Sequence, residues 1–283
     1  MSVQICNTAS EVLNTGASKQ CIEGKLKHIV LSKSAFKFAN VTDAVNRDKW
    51  IDGITAKDLV PLYDLYEVAN ADTEASFFEA DEFRFKTSKE VKKTTFESYL
   101  GLCSHKALKS YQDSDYTKVF EITEDGAIIG ILNDDGSVSG QDLSYFDVSI
   151  RKRTVKDKPA TTMVTLTYKD FEQLEKSPFG RIPDWDANDL SGIFNANITL
   201  VSTISSAIVV DVTTGCDNTG VEGLVVADFT YSGGTLTGLS ESTTVAGRYT
   251  LAGTGLTSGN LNLDGVVALG DILLEGVILA VTI

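Results

Sequence analysis

Apolar and polar residues alternate with period two along much of this chain, and turn residues cut the alternation at short intervals. The clearest run covers residues 116–168. Val119, Phe120 and Ile122 lead to Asp125-Gly126, and Ile128 to Leu132 lead to Asp135-Gly136. Phe146, Val148 and Ile150 then alternate with polar neighbours, as do Val164, Leu166 and Tyr168. Asp-Gly supplies the positive φ that a tight hairpin turn needs, so each pair between apolar runs predicts a hairpin. Between the last two strands lies RKRTVKDKPA, a basic tip expected to form a long hairpin or a mobile loop.

Upstream, residues 1–25 are polar and predict an extended arm with a short strand. Residues 26–38 predict a strand. Thr42 or Asp43 is placed to cap a short helix over 44–51. Pro61 interrupts 55–66, which predicts a turn of helix followed by a strand. Phe83 and Phe85 alternate with charged partners, the pattern of a half-exposed strand. The best helical pattern is 95–109, where Phe96, Tyr99, Leu100, Cys103 and Ala107 share one face and Gly101 costs about 1 kcal/mol against Ala. Asp170 is placed to cap a short helix ended by Pro178, and 179–191 has the composition of a linker.

Beyond residue 191 the composition changes. Residues 192–283 carry one basic residue, Arg248, against eight acidic ones, whereas 1–191 carry 24 basic and 31 acidic. Short strands at 193–201, 207–214, 223–231, 247–253 and 273–283 are separated by Gly, Asn, Ser and Thr. Such spacing predicts an immunoglobulin-like β-sandwich, without the Cys/Trp/Cys core of antibody domains. The expected fold is therefore mainly β. An N-terminal sandwich or barrel with one principal helix (α+β) spans 26–178 after the arm 1–25, and the Ig-like sandwich spans 192–283 after the linker 179–191.

The net charge of −14 argues against tight nucleic-acid binding, since phosphate binders need a basic stripe, and it suits a surface along which DNA passes without sticking. Four separated cysteines, Cys6, Cys21, Cys103 and Cys216, form no CxxC; they fit a reducing compartment, with one bridge such as Cys6–Cys21 left open. The start MSVQICNTASEV has neither the basic nor the apolar region of a signal peptide, and no apolar run approaches the ~20 residues of a membrane span, so a cytoplasmic, soluble product is expected.

Candidate chemistry is sparse. His28 and His105 stand in no metal spacing, and His105 next to Cys103 on a helix is not poised as a nucleophile–base pair. Cys103 is expected to be buried and His105 to end the helix. Gly253 and Gly255 predict a turn rather than a phosphate loop. The sharpest metal candidate is 260–271, where Asn260, Asn262, Asp264 and Asp271 fall at positions 1, 3, 5 and 12 of a calcium-type loop with Gly265 at position 6. A plain hairpin with an Asp264-Gly265 turn explains the same residues. Asn133 to Gly136 poses the same choice. No catalytic, cofactor or metal residue is assigned, and the chain is expected not to be an enzyme. A glycosidase carboxylate pair would come together only in the fold.

Over 99–150, YLGLCSHKALKSYQ followed by VFEITEDGAIIGILNDDGSVSGQDLSYFDVSI resembles structural proteins of tailed bacteriophages, especially those infecting Bacteroidetes hosts. The segment VEGLVVADFTYSGGTLTGLSESTTVAGRYTL is similar to Ig-like modules appended to phage virion proteins. The resemblance implies a tail tube protein made in the host cytoplasm and carried in the virion tail. Its partners would be copies of itself in stacked rings, other virion proteins, and genome DNA that passes without specific binding. It would not insert in a membrane. The arm and the loops around 70–93 and 151–160 are expected to bridge subunits, and edge strands to pair around the ring. An Ig-like head decoration, fibre or adhesin that binds a glycan or cell surface is the alternative, and a glycan hydrolase with an accessory domain is a third class.

Overall fold

The structure is a computed structural model that describes residues 3–4, 24–63, 65–80, 83–170, 172–270 and 272–283. The chain is mainly β and divides into two compact units, Met1–Leu190 and Ser191–Ile283. The arm expected over 1–25 lies outside the described residues, apart from a two-residue strand and Gly24 and Lys25.

The first unit contains β1 (Val3–Gln4), β2 (Leu26–Ser32), β3 (Leu59–Leu62), β4 (Tyr66–Asn70), β5 (Phe77–Ala80), β6 (Phe83–Lys86) and β7 (Lys93–Ser98). It continues with β8 (Lys118–Thr123), β9 (Ile128–Leu132), β10 (Val138–Ser139), β11 (Gln141–Val148), β12 (Thr162–Tyr168) and β13 (Pro178–Ile182). Its helices are α1 (Val41–Ala44), α2 (Arg47–Thr55), α3 (Leu102–Ser110) and α4 (Gln173–Lys176).

β11 organises this unit. Its first residues pair with β8, Gln141 opposite Val119. The strand then leaves β8 and pairs with β12 from Leu143 to Val148. One strand thus belongs to two sheets: β3-β2-β8-β9-β13-β1 on one side, and β11-β12-β7-β4 on the other. Ile29, Leu31 and Val119 from the first sheet pack with Phe96, Phe146, Val164 and Leu166 from the second, and Leu108 of α3 joins them. The opposite face of the first sheet is covered as well. Phe38, Trp50 and Phe120 form a buried aromatic triad with ring centroids 4.9–5.7 Å apart, and the Trp50 indole N–H donates to the Ala44 carbonyl at 2.9 Å. With both faces covered, β8 is buried at every position from Val119 to Thr123, including Glu121.

The two Asp-Gly turns form where the alternation places them, with Gly126 at φ +78° and Gly136 at φ +80°. Other local expectations are corrected. The helix expected over 95–109 begins only at Leu102. Residues 93–98 are β7, whose buried positions are Thr94, Phe96 and Ser98. Two inward polar residues hide the period of two, while Phe96 and Tyr99 happen to fit a helical face. The helix expected over 44–51 is two helices, because Asn40 and Asn46 each accept a backbone N–H and start separate turns. Pro61 lies inside β3, at the sheet margin, where a missing N–H is tolerated. The stretch with linker composition, 179–191, includes most of β13, which pairs with β9 (Phe179 opposite Gly130), and buries Phe179, Ala187 and Leu190.

The second unit comprises β14 (Ile193–Ile204), β15 (Ala207–Thr214), β16 (Phe229–Tyr231), β17 (Thr235–Glu241), β18 (Arg248–Thr254), β19 (Gly259–Leu263), β20 (Val266–Leu269), β21 (Ile272–Gly276) and β22 (Leu279–Val281). A six-stranded sheet, β17-β18-β15-β14-β21-β20, and a three-stranded sheet, β16-β19-β22, share one apolar core. Ile208, Val210, Val212, Tyr249 and Leu251 line it from the first sheet; Phe229, Leu261 and Leu263 line it from the second. The Tyr249 hydroxyl is satisfied inside, donating to the Val221 carbonyl at 2.7 Å and accepting from the Leu224 N–H at 3.2 Å. Burial pushes its pKa up to about 12.

Candidate assembly surfaces

The strand expected around Phe83 and Phe85 belongs to no main sheet. Among the described residues β5 and β6 pair only with each other, at the end of an arm that continues the β4–β7 ribbon outward. Thr73 and Val91 exchange backbone bonds at 2.9 and 3.0 Å along this arm, and the Lys93 N–H donates to Asp72. From 71 to 80, ten residues at ~3.3 Å each give a reach of up to about 30 Å. Residues directly opposite in an antiparallel pair share a face. One face therefore carries Phe78, Phe85 and Phe83, whose rings stack with centroids 6.2 and 6.4 Å apart. The other carries Phe77 beneath the Arg84 guanidinium, 4.1 Å from the ring centroid, with Arg84 also paired to Glu79 at 3.0 Å. A half-exposed strand buries one face. Here all four phenylalanines are exposed, Phe83 by 67 %. An isolated two-stranded ribbon is at best marginally stable in water, and a contiguous exposed aromatic strip marks an interaction site.

The basic tip is a second hairpin. Lys152 bridges Thr161, and Val155 and Lys158 exchange backbone bonds around the turn. Arg151 folds back to donate to the Leu100 carbonyl. At its foot His105 Nδ1 lies 3.0 Å from Thr162 Oγ1, tying α3 to the start of β12. Large apolar side chains stand in water here: Ile150 is 84 % exposed, Leu102 73 % and Val155 63 %.

Register puts these two surfaces at opposite ends of one sheet. Lys93 of β7 faces Thr167 of β12, and Ser98 faces Thr162. The aromatic arm joins Asn70 to Lys93, so it leaves at the Lys93/Thr167 end. The basic hairpin joins Val148 to Thr162, so it leaves at the Ser98/Thr162 end, as does α3.

Two margins of this unit are poor templates for another strand. β3 carries Pro61, which has no N–H to offer. β4 has a register shift between Tyr66 and Ala69, with Glu67 at φ +50°. The Tyr99 hydroxyl lies 3.2 Å from both Glu67 and Glu97, and burial and then these carboxylates push its pKa up to about 12. Bulges and proline are recognised guards against edge-to-edge pairing.

Cys103 is exposed rather than buried, and it and Cys216 are both disulfide-bonded, against the expectation of free thiols. His105 turns to Thr162, and the His28 ring meets Tyr63 edge-on at 5.4 Å. Asn133 to Gly136 form a turn in which Asp135 pairs with Lys37 at 2.6 Å and accepts from Ser137; Lys37 first and then Ser137 hold its carboxyl well below the usual range. Gly253 lies in β18, and Gly255 turns at φ +62°. Asp264-Gly265 is not a hairpin turn. β19 belongs to the three-stranded sheet and β20 to the six-stranded one, so the turn carries the chain between sheets, with Leu261 and Leu263 in the core. Asp271 lies outside the described residues. Among the described residues no group of three or more His, Cys, Asp or Glu is placed to hold a metal, and no helix is long and apolar enough to cross a membrane. No family model matches the chain, and no curated protein matches it.

Proposed function

We infer that the chain is a structural subunit that works by assembling with copies of itself, and that its role is that of a phage tail tube protein whose stacked rings conduct DNA. The observation that carries this reading is the aromatic arm: three stacked, exposed phenylalanines on a ribbon that has no sheet partner among the described residues. Burying each large apolar side chain contributes about 1.5–3 kcal/mol, so covering this strip rewards association strongly. Three further features support it. The resemblance over 99–150 covers α3 and the β8–β11 segment, the centre of the unit that bears both projecting hairpins. The net charge of −14 suits a conduit that phosphate must traverse. The second unit adds an acidic sandwich in which the lone cation, Arg248, is bound to Asp211 through two bonds of 2.7 and 2.8 Å. In this role the protein belongs to the virion tail and performs no chemistry.

Negative-stain microscopy of the purified protein over a concentration series tests the proposal. Rings or tubes are the expected result. Monomers throughout, or binding to a glycan array without assembly, would replace it with the decoration or adhesin reading.

A further inference from the structure

We propose that the aromatic arm of one copy docks on the basic hairpin and the adjoining apolar residues of the next copy, making a polar, head-to-tail contact along the axis of the β11-β12-β7-β4 sheet. This inference rests on the self-assembly reading and specifies which surfaces meet.

The two surfaces complement each other in charge and in apolarity. Residues 71–90 contain six acidic and three basic residues, whereas 151–158 contain five basic and one acidic. The arm offers Phe78, Phe83 and Phe85; the other end offers Ile150, Val155 and Leu102. Neither strip is covered by the described residues of its own chain. They project from opposite ends of strands six to seven residues long, so a span of about 20 Å of sheet separates them. The arm leads away from the basic end, and the occupant of each surface is then a second molecule.

A contact between unlike surfaces is heterologous, so each junction leaves one arm and one basic end free for the next copy. The blunted margins at Pro61 and Glu67 favour growth through the hairpins over pairing of strand edges. The Arg151 bond to the Leu100 carbonyl and the His105 contact with Thr162 brace the receiving end. Exposed opposite charges also steer encounter, which makes assembly sensitive to salt.

The test uses two full-length variants and their mixture. One is Phe78→Ser/Phe83→Ser/Phe85→Ser in the arm; the other is Arg151→Glu/Lys152→Glu/Arg153→Glu at the receiving end. All six positions lie on projecting hairpins away from the core, and circular dichroism checks that both variants keep the wild-type spectrum. Each alone should need at least about tenfold more protein to assemble, as expected when central interface anchors are lost. Mixed together they should form dimers and stop, because the intact arm of one variant meets the intact receiving end of the other. In wild-type protein carrying a photo-reactive benzoylphenylalanine at position 83, intermolecular cross-links should map to 102 and 150–158. Wild-type assembly that either variant leaves intact, or cross-links from arm to arm, would overturn this contact while leaving self-assembly standing. A wild-type protein that never assembles would overturn both.

Discussion

Tyr168 donates its phenolic hydrogen to Glu121 across the interior of the first unit, joining β12 of one sheet to β8 of the other. Both residues are buried, and Lys92 lies over the Tyr168 ring at 4.8 Å. Burial, reinforced by the Glu121 carboxylate, pushes the Tyr168 pKa far up, so the phenol stays protonated and remains a donor. Tyr168→Phe removes the donor and leaves a buried carboxyl without it, at a cost of about 1–3 kcal/mol. Glu121→Gln keeps an acceptor and should cost less. Urea unfolding of the three proteins gives the ranking. The sign of the pH effect is fixed too. A phenol raised above its ordinary 10.0 on folding stabilises the fold below that pH and loses the contribution as pH rises beyond it, so the gap between wild type and Tyr168→Phe should narrow in alkali.

Gly140 lies between β10 and β11, just ahead of the Gln141 that pairs with Val119 of β8. A Cβ there would lie 2.8 Å from the backbone N, C and O of Val119, atoms that cannot move aside. Gly140→Ala should destabilise the fold by about 1–3 kcal/mol, the usual cost of overpacking. Gly136 is the contrast: it has positive φ and open space where a Cβ would stand, so Gly136→Asn should be tolerated nearly unchanged. Thermal unfolding distinguishes the two.

Asp211 and Arg248 couple the second unit to acid. Arg248 holds the Asp211 carboxyl below its ordinary 3.8, so the pair stabilises the fold above that pH and the contribution is lost as pH falls through the lowered value. Arg248→Gln should therefore lower the melting temperature at pH 7 and cease to do so in strong acid. Melting curves of both proteins from pH 7 to pH 2 report this difference.

Cys103 and Cys216 being disulfide-bonded limits the free thiols of the chain to the remaining two. Titration with a thiol reagent in denaturant should find at most two reactive groups before reduction and four after it. Four before reduction would restore the expectation of free thiols.

Much of the fold was legible because β-hairpins write themselves locally. Asp125-Gly126 and Asp135-Gly136, flanked by Val119–Ile122 and Ile128–Leu132, announce both turns without reference to the rest of the molecule. What escaped depends on distant partners. Thr94 and Ser98 point inward because β12 and the core receive them, and no local rule makes a polar residue an inward one. β13 begins at Pro178, a residue that ends a helix as readily as it begins a strand. The two projecting hairpins were half legible. The charge of 151–158 stands out in so acidic a chain, and Phe83 and Phe85 alternate visibly. That their strip is left uncovered emerges only once every sheet has been assigned its neighbours.

The double membership of β11 also governs how the first unit opens. Gln141 is hydrogen-bonded into the register of β8, and residues 143–148 into that of β12, so neither sheet can detach without pulling on the other. Amide protons of β8, β11 and β12 should exchange with solvent at a common slow rate, as one cooperative block, while those of the β5–β6 arm exchange ahead of them. A chain built this way can reshape its projecting arm without loosening the body that carries it.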